Sequence, residues 1–163
     1  MLLGVAFGWG KRKGLDIFVE LSKRLGNEYQ IVMIGTDDVI DKQLSSSIIS
    51  IHRTNNQQEL AEIYSAADLM VNPTREDNYP TVNMESIACG TPVLTFETGG
   101  SPEIVDVNTG AVVPCDDVDK MIQEIERICK ENPYSEEDCI RKAQVFDKWR
   151  KFQEYIELYE SVG

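Results

Sequence analysis

Three carboxylates crowd the predicted start of one helix, in the stretch TREDNYPTVNMESIACGTPV. Glu76 and Asp77 lie in a polar loop, and Glu85 lies about one turn into the helix. A helix N-terminus has unpaired N–H groups and favours negative charge, but a bound phosphate satisfies the same groups. The N–H groups of Thr81 and Val82 are therefore either capped by the Thr81 hydroxyl or free to bind a phosphate.

The carboxylate of Glu85 suits a ligand with paired hydroxyls, such as a ribose, because it accepts two hydrogen bonds at once. Helical side chains lean toward the N-terminus, so Glu85 reaches across the helix start. Asp77 precedes it by eight positions, and a turn at 78–80 lets both acids face one cleft. In the alternative interpretation, Glu76 and Asp77 are solvated and Glu85 interacts only with the helix dipole.

A glycine-rich basic loop, GWGKRKG at 8–14, follows the first predicted strand. Its cations Lys11, Arg12 and Lys13 are consecutive in a chain with 28 acids and 16 bases. Gly10 allows close backbone approach. The third glycine arrives one residue too late for a dinucleotide fingerprint, and the GK[ST] end of a Walker A loop is missing. The position between a strand and a helix favours diphosphate binding over a solvated basic turn.

Apolar stretches of strand length alternate with helical patterns along the chain. The predicted strands are 2–9, 29–36, 47–54, 68–74, 91–97 and 110–114, with a loop at 37–46, a short helix capped by Ser101, and C-terminal helices at 116–131, 135–147 and 148–161. This order predicts an α/β fold, a Rossmann-like parallel sheet of about six strands with helices on both faces plus C-terminal helices. Ligands of such folds bind at the carboxyl ends of the strands.

Composition narrows the possible partners of this single predicted domain. The formal net charge of −12 argues against nucleic-acid binding, and no apolar run approaches the roughly 20 residues of a membrane span. The four cysteines form no CxxC pair and the only histidine, His52, has no cysteine nearby. We therefore expect no metal site, and free thiols in a reducing cytosol.

The segment PTREDNYPTVNMESIACGTPVLTFETGGSPEIV resembles the signature of retaining nucleotide-sugar glycosyltransferases of the family 4 type, which have two Rossmann-like domains in a GT-B fold. Further resemblance lies in KGLD at 13–16, in ELAEIYSAADLMVNPT at 59–74 and in FDKWRKFQEYIELYES at 146–161. The motifs occur in the family's order and at suitable spacing, so together they are specific.

This resemblance implies roles for the matching residues. Glu85 falls at the position that binds the donor ribose. Asp77 falls at the position of the acid that faces the transferred sugar, although the family has Glu there and the adjacent Glu76 is the alternative. Lys13, assisted by Arg12, falls at the position that neutralises the diphosphate.

The remaining implied contacts come from the backbone and from one strand end. Gly10 and the amides of Thr81 and Val82 would bind phosphate oxygens, and the segment around Arg53 would lie beside the base. The implied donor is a UDP-, GDP- or ADP-linked sugar, with no further cofactor and no metal. The family's Gly-Phe-Gly loop is replaced by Asn-Tyr-Pro at 78–80, which removes one N–H donor.

The family also places its acceptor in an N-terminal domain, which this chain lacks. We therefore interpret 1–163 as a C-terminal donor-binding domain, with 148–161 as the terminal crossover helix. Trp149 and Tyr155 are expected to dock this helix, and an exposed apolar patch is expected where the other domain would pack. Alone, it is expected to bind nucleotide weakly and to transfer little. The whole enzyme is expected to act on a glycan or lipid-linked acceptor in surface polysaccharide synthesis, in the cytoplasm or peripherally at the inner membrane face.

Three other functions share part of this pattern. A sugar-nucleotide epimerase uses the same two-domain fold. A Rossmann dehydrogenase is disfavoured by the late third glycine and by the absence of an acid at the end of the second strand. A non-catalytic nucleotide-binding domain would retain the fold, with Asp77 marking lost activity.

Overall fold

Six parallel strands form one sheet in the order β3-β2-β1-β4-β5-β6. The computed structural model of the chain describes residues 1–162. The strands are β1 (Leu2–Val5), β2 (Ile31–Ile34), β3 (Ile48–Ile51), β4 (Leu69–Asn72), β5 (Val93–Phe96) and β6 (Gly110–Val113). The helices are α1 (Leu15–Arg24), α2 (Asp38–Asp41), α3 (Gln57–Ala66), α4 (Thr81–Ala88), α5 (Ser101–Ile104), α6 (Val118–Glu131), α7 (Glu136–Ala143) and α8 (Lys148–Val162), with 3-10 turns at Lys11–Lys13 and Gln144–Phe146.

Helices cover both faces of this sheet. Successive residues of each strand point to opposite faces, and the residues on each face pack against a different set of helices. Leu2 belongs to an apolar cluster that includes Phe18 of α1 and Ile125 of α6. Leu3 belongs to a second cluster, with Tyr64 of α3 and residues of α4, α5 and α7. Strands buried on both faces read as continuous apolar runs, so the predicted α/β fold is confirmed.

The segments beyond the strand ends differ from the sequence prediction. All six strands have four residues, because the flanking apolar residues turn into loops. Trp9, placed in the first strand by its apolar run, lies in the following loop and donates its indole N–H to the Ile34 carbonyl over 2.9 Å. The predicted loop 37–46 contains α2, which forms because the Asp37 carboxylate accepts the N–H groups of Val39 and Ile40 at 2.8 Å.

Two predictions for the later helices are wrong, and a third holds only in part. Ser101 is the first residue of α5 rather than its cap; Gly100 is the cap, and the Ser101 hydroxyl is buried without a partner in residues 1–162. The helix predicted over 135–147 ends at Ala143 and continues as a 3-10 turn. Trp149 and Tyr155 do not dock α8 within residues 1–162, since α8 buries none of its described side chains, and they contribute to the exposed apolar patch that was expected there.

The sheet reverses its winding between β1 and β4. The chain adds β2 and β3 on one side of β1 and then returns to place β4 on the other side. In open α/β sheets, ligands bind outside the carboxyl ends of the strands at such a reversal. The basic loop after β1 and the acidic loop after β4, residues 73–80, meet there.

Candidate functional site

The basic loop turns tightly before α1. The Gly10 carbonyl accepts the Lys13 N–H over 3.0 Å and so closes the 3-10 turn. Gly14 follows in the left-handed conformation, with φ of 77°, and any Cβ on it would overlap Pro73 of the neighbouring loop. A Cβ on Gly10 would meet no atom within 4 Å. The backbone is therefore pressed against the acidic loop at Gly14 and borders open space at Gly10.

The two adjacent acids of the second loop have different surroundings. Lys13 Nζ donates to Asp77 Oδ2 over 2.5 Å, and these side chains are only 17% and 21% exposed. The Glu76 side chain is exposed, and it is the Glu76 backbone carbonyl that accepts from Arg12, over 3.2 Å. Of the two acids, only Asp77 pairs with Lys13 through its side chain. The structure therefore brings the two loops together at the four predicted residues. Lys13 and Asp77 meet through their side chains, and Arg12 contacts the backbone of Glu76.

Arg75 connects these loops, and the sequence analysis missed it. Its guanidinium forms a two-bond pair with Asp16 of α1, at 2.8 Å and 2.8 Å, and donates from Nε to Asp116 after β6 over 2.6 Å. It also donates to the Lys11 carbonyl. These hydrogen bonds raise the pKa of Arg75 and lower that of Asp16. A single arginine among acids has no spacing that signals such a contact.

The loop after β5 also packs against the acidic loop and forms hydrogen bonds to its backbone. The Thr98 hydroxyl donates to the Thr74 carbonyl over 2.7 Å, and the Gly100 N–H donates to the Asn78 carbonyl over 2.9 Å. Gly99 has φ of 50°, and a Cβ there would overlap the Asp77 carbonyl. The acidic loop is therefore held on both sides by backbone contacts.

The start of α4 is open. Pro80 is the cap residue and provides no side-chain hydrogen bond, and Thr81 is the first helical residue. The Asn83 N–H donates to the Pro80 carbonyl over 3.1 Å, but the N–H groups of Thr81 and Val82 have no acceptor within residues 1–162. Of the two predicted alternatives, capping by Thr81 is wrong. Two N–H donors are left for an anion at the positive end of the helix dipole.

Glu85 lies one turn further along the same face of α4. It borders a groove of about 300 Å³ between α3 and α4, with Leu60, Tyr64 and Ala88 among the lining residues. The Tyr64 hydroxyl donates to Glu85 Oε2 over 3.1 Å. Burial and the nearby Glu85 charge raise the pKa of Tyr64, so the phenol stays a donor at neutral pH. The sequence analysis assigned no role to Tyr64, which it quoted only as part of the segment at 59–74.

The side chains at the edge of the sheet beyond β3 are more exposed. Arg53 is exposed and makes no hydrogen bond or ion pair with the rest of the described chain. His52 Nε2 lies 2.7 Å from Asp41 Oδ2, and this hydrogen bond raises the pKa of His52. Asp38 approaches the same pair, so that these three exposed side chains offer ligand atoms within 4.8 Å of one another. The sequence analysis found no such group, because α2 brings the acids to the histidine.

Comparison with known proteins identifies the family. The sequence model of the family described as "Glycosyl transferases group 1" matches residues 2–131. The chain belongs to this family. A D-inositol 3-phosphate glycosyltransferase of Streptomyces bingchenggensis is 40% identical over 70 residues, which is 42% of this chain and 15% of that protein. The prediction of a glycosyltransferase domain is therefore confirmed.

Solved structures share the whole fold at low sequence identity. Sucrose-phosphate synthase from Thermosynechococcus elongatus matches 98% of this chain with a TM-score of 0.77 and 21% identity. HepE of Anabaena, solved in complex with UDP and with UDP-glucose, matches 98% of the chain, at 17% identity and a TM-score of 0.81 for the UDP complex. The chain spans about half of each protein, 46% and 48%. Across residues 1–162, no helix combines the length and apolar character needed to cross a bilayer.

Proposed function

We propose that this chain is the donor-binding domain of a retaining glycosyltransferase of the family 4 type. One observation carries the proposal: a shielded cation, Lys13, lies at the crevice between β1 and β4, beside the loop that leads into the open start of α4. A cation and unpaired helix N–H groups together form a site for a diphosphate. The donor would be a nucleoside diphosphate sugar, a class that UDP and UDP-glucose bound to HepE support.

In the proposed reaction, the bond between the sugar and the diphosphate breaks, and negative charge builds on the departing diphosphate. Lys13, the adjacent Arg12 and the N–H groups of Thr81 and Val82 would stabilise that charge, because preorganised donors act strongest where charge develops. The open space at Gly10 leaves room for phosphate oxygens against the backbone. Lys13 and Arg12 belong to the basic loop, and Thr81 and Val82 open the helix that follows the acidic loop.

The carboxylates have separate roles in this proposal. Asp77 would face the transferred sugar, because its carboxylate is largely shielded and pairs with Lys13, whereas the Glu76 side chain is exposed. Glu85 accepts hydrogen bonds from the ribose hydroxyls. Arg53, free of partners in the described chain, lies at the strand end where the base would bind.

The activity of a whole enzyme is part of the same proposal. A separate domain would hold a glycan or lipid-linked acceptor, and α8 would be the helix that crosses to it. The product would be a surface polysaccharide, made in the cytoplasm or at the inner membrane face. This domain alone would bind the donor nucleotide and transfer little sugar.

Titration of the 163-residue chain with UDP, GDP and ADP by calorimetry tests the proposal. One of the three is expected to bind at millimolar concentration or below, and better than inorganic phosphate. If none of them does, the donor-site assignment fails. A Lys130→Met variant, which changes an exposed lysine at the far end of α6, is expected to bind as the native chain does.

A further inference from the structure

The contact between Tyr64 and Glu85 joins a buried group to a surface carboxylate. Tyr64 is 1% exposed, whereas Glu85 is exposed on α4. A buried phenol needs a hydrogen-bond partner, and within residues 1–162 the Tyr64 hydroxyl finds it in Glu85 Oε2. The direction of the O–H group is therefore set by the core, and the carboxylate follows it.

Tyr64 is itself fixed at several points. Its ring belongs to the apolar cluster that contains Met70 and Ile87. Its backbone carbonyl accepts the Thr91 hydroxyl over 2.6 Å and the Ala67 N–H over 3.0 Å. The phenol therefore has little freedom to follow Glu85 elsewhere.

We infer that Tyr64 is a positioning residue, which holds Glu85 so that its free oxygen faces the two hydroxyls of a bound ribose. This inference rests on the proposed function, in which Glu85 binds the ribose. A carboxylate has about four acceptor sites, so one bond from Tyr64 leaves enough for a diol. An unheld glutamate would lose rotamer entropy when the nucleotide binds, and holding it beforehand reduces that cost.

A purely structural contact would predict a different outcome. If the hydrogen bond only ties α3 to α4, its loss weakens the fold and affects every ligand alike. If Tyr64 acts through Glu85, its loss weakens only ligands with ribose hydroxyls. The 2′,3′-dideoxy nucleotides separate the two, because they keep the base and diphosphate but lack the diol.

The experiment measures affinities of the 163-residue chain and its Tyr64→Phe variant for UDP, GDP and ADP and for their 2′,3′-dideoxy forms. For the nucleotide that the native chain binds, Tyr64→Phe is expected to reduce affinity about three- to tenfold, because Glu85 would then lose its rotamer freedom only when the nucleotide binds. Affinity for the dideoxy form is expected to change less than about twofold. Tyr134→Phe is the matched control, since its hydroxyl pairs with Arg127 away from the site.

Glu85→Ala supplies a second comparison. In that background Tyr64→Phe is expected to cost no further affinity, because the group through which it acts is gone. Circular dichroism and thermal unfolding establish that both variants fold.

The outcomes separate this inference from the proposed function. If the native chain binds no nucleotide better than inorganic phosphate, the proposed function fails and the inference with it. If the native chain prefers the ribonucleotide and Tyr64→Phe keeps that preference, only the role of Tyr64 is overturned. Equal losses for ribonucleotide and dideoxynucleotide would show that Tyr64 acts through packing, and would also overturn it.

Discussion

The loops at the centre of the sheet and those at its β3 edge handle charge differently. At the centre, Lys13, Arg75 and Asp77 are 17%, 18% and 21% exposed, and they pair across elements far apart in sequence. At the edge, His52 and Asp41 are 46% and 36% exposed and only eleven positions apart. Shielded pairs resist screening by salt better than exposed pairs. In the proposed function, the shielded centre binds the diphosphate common to all donors, and the exposed edge meets the base that varies among them.

Removing the cation at the centre is expected to have the largest effect. Lys13→Met should weaken binding of the preferred nucleoside diphosphate by about 2–3 kcal/mol, roughly 30-fold to 150-fold, because a charge-assisted contact to the phosphates is lost. Calorimetric titration measures it, with Lys130→Met as the control. An equal effect of Arg53→Met would erase the distinction between centre and edge.

Breaking the contacts of Arg75 with Asp16 and Asp116 should destabilise the fold. Arg75→Gln is expected to lower the free energy of unfolding by about 1–2 kcal/mol, less than for a fully buried pair because Asp16 and Asp116 are about half exposed. Urea denaturation measures the loss. Arg24→Gln removes an arginine that also pairs with two acids, Glu20 and Asp119, at the surface, and a smaller loss is expected there.

The two adjacent acids should respond unequally. Asp77→Asn is expected to raise affinity for the nucleoside diphosphate about two- to fivefold, because it frees Lys13 from its ion pair. Glu76→Gln is expected to change it less than about twofold, since that carboxylate is solvated. Titration of both variants decides which acid belongs to the site, and equal responses would contradict the assignment.

A change of pH should have the smallest effects on stability, and these effects should have opposite signs in the two regions. The bond to Asp41 raises the pKa of His52 in the folded protein, so its stabilising contribution is full below about pH 6.5 and is lost as pH rises through the folded pKa. The pKa of Asp16 is lowered by Arg75, so its contribution is present above about pH 3.9 and is lost as pH falls through the folded pKa.

Nuclear magnetic resonance titration of the His52 ring provides the check at the edge. Its pKa is expected above about 6.5 in the native chain and nearer that value in Asp41→Asn. At the centre, acid unfolding of Arg75→Gln is expected to depend less on pH below about 3.9 than unfolding of the native chain. A His52 pKa unchanged by Asp41→Asn would show that the pair does not persist in solution.

The fold was largely predictable because its signal is local. Continuous apolar runs identify strands buried on both faces, and the local pattern also places Asp77 in a loop and Glu85 about one turn into α4. The contacts of Arg75 were not predictable, because its partners Asp16 and Asp116 lie 59 and 41 positions away in the sequence. The role of Ser101 was misjudged because a serine before a proline is typical of a cap, whereas here Gly100 takes that position.

Gly99 contributes no side chain to the site, yet the acidic loop rests against it. Since even one methyl group there would overlap the Asp77 carbonyl, every other residue at this position would displace Asp77 from Lys13. A saturation library should therefore tolerate changes at the charged but solvated Glu76 far better than any change at Gly99. The acidic loop therefore depends on the absence of a side chain at Gly99 as much as on the charges of Lys13 and Asp77.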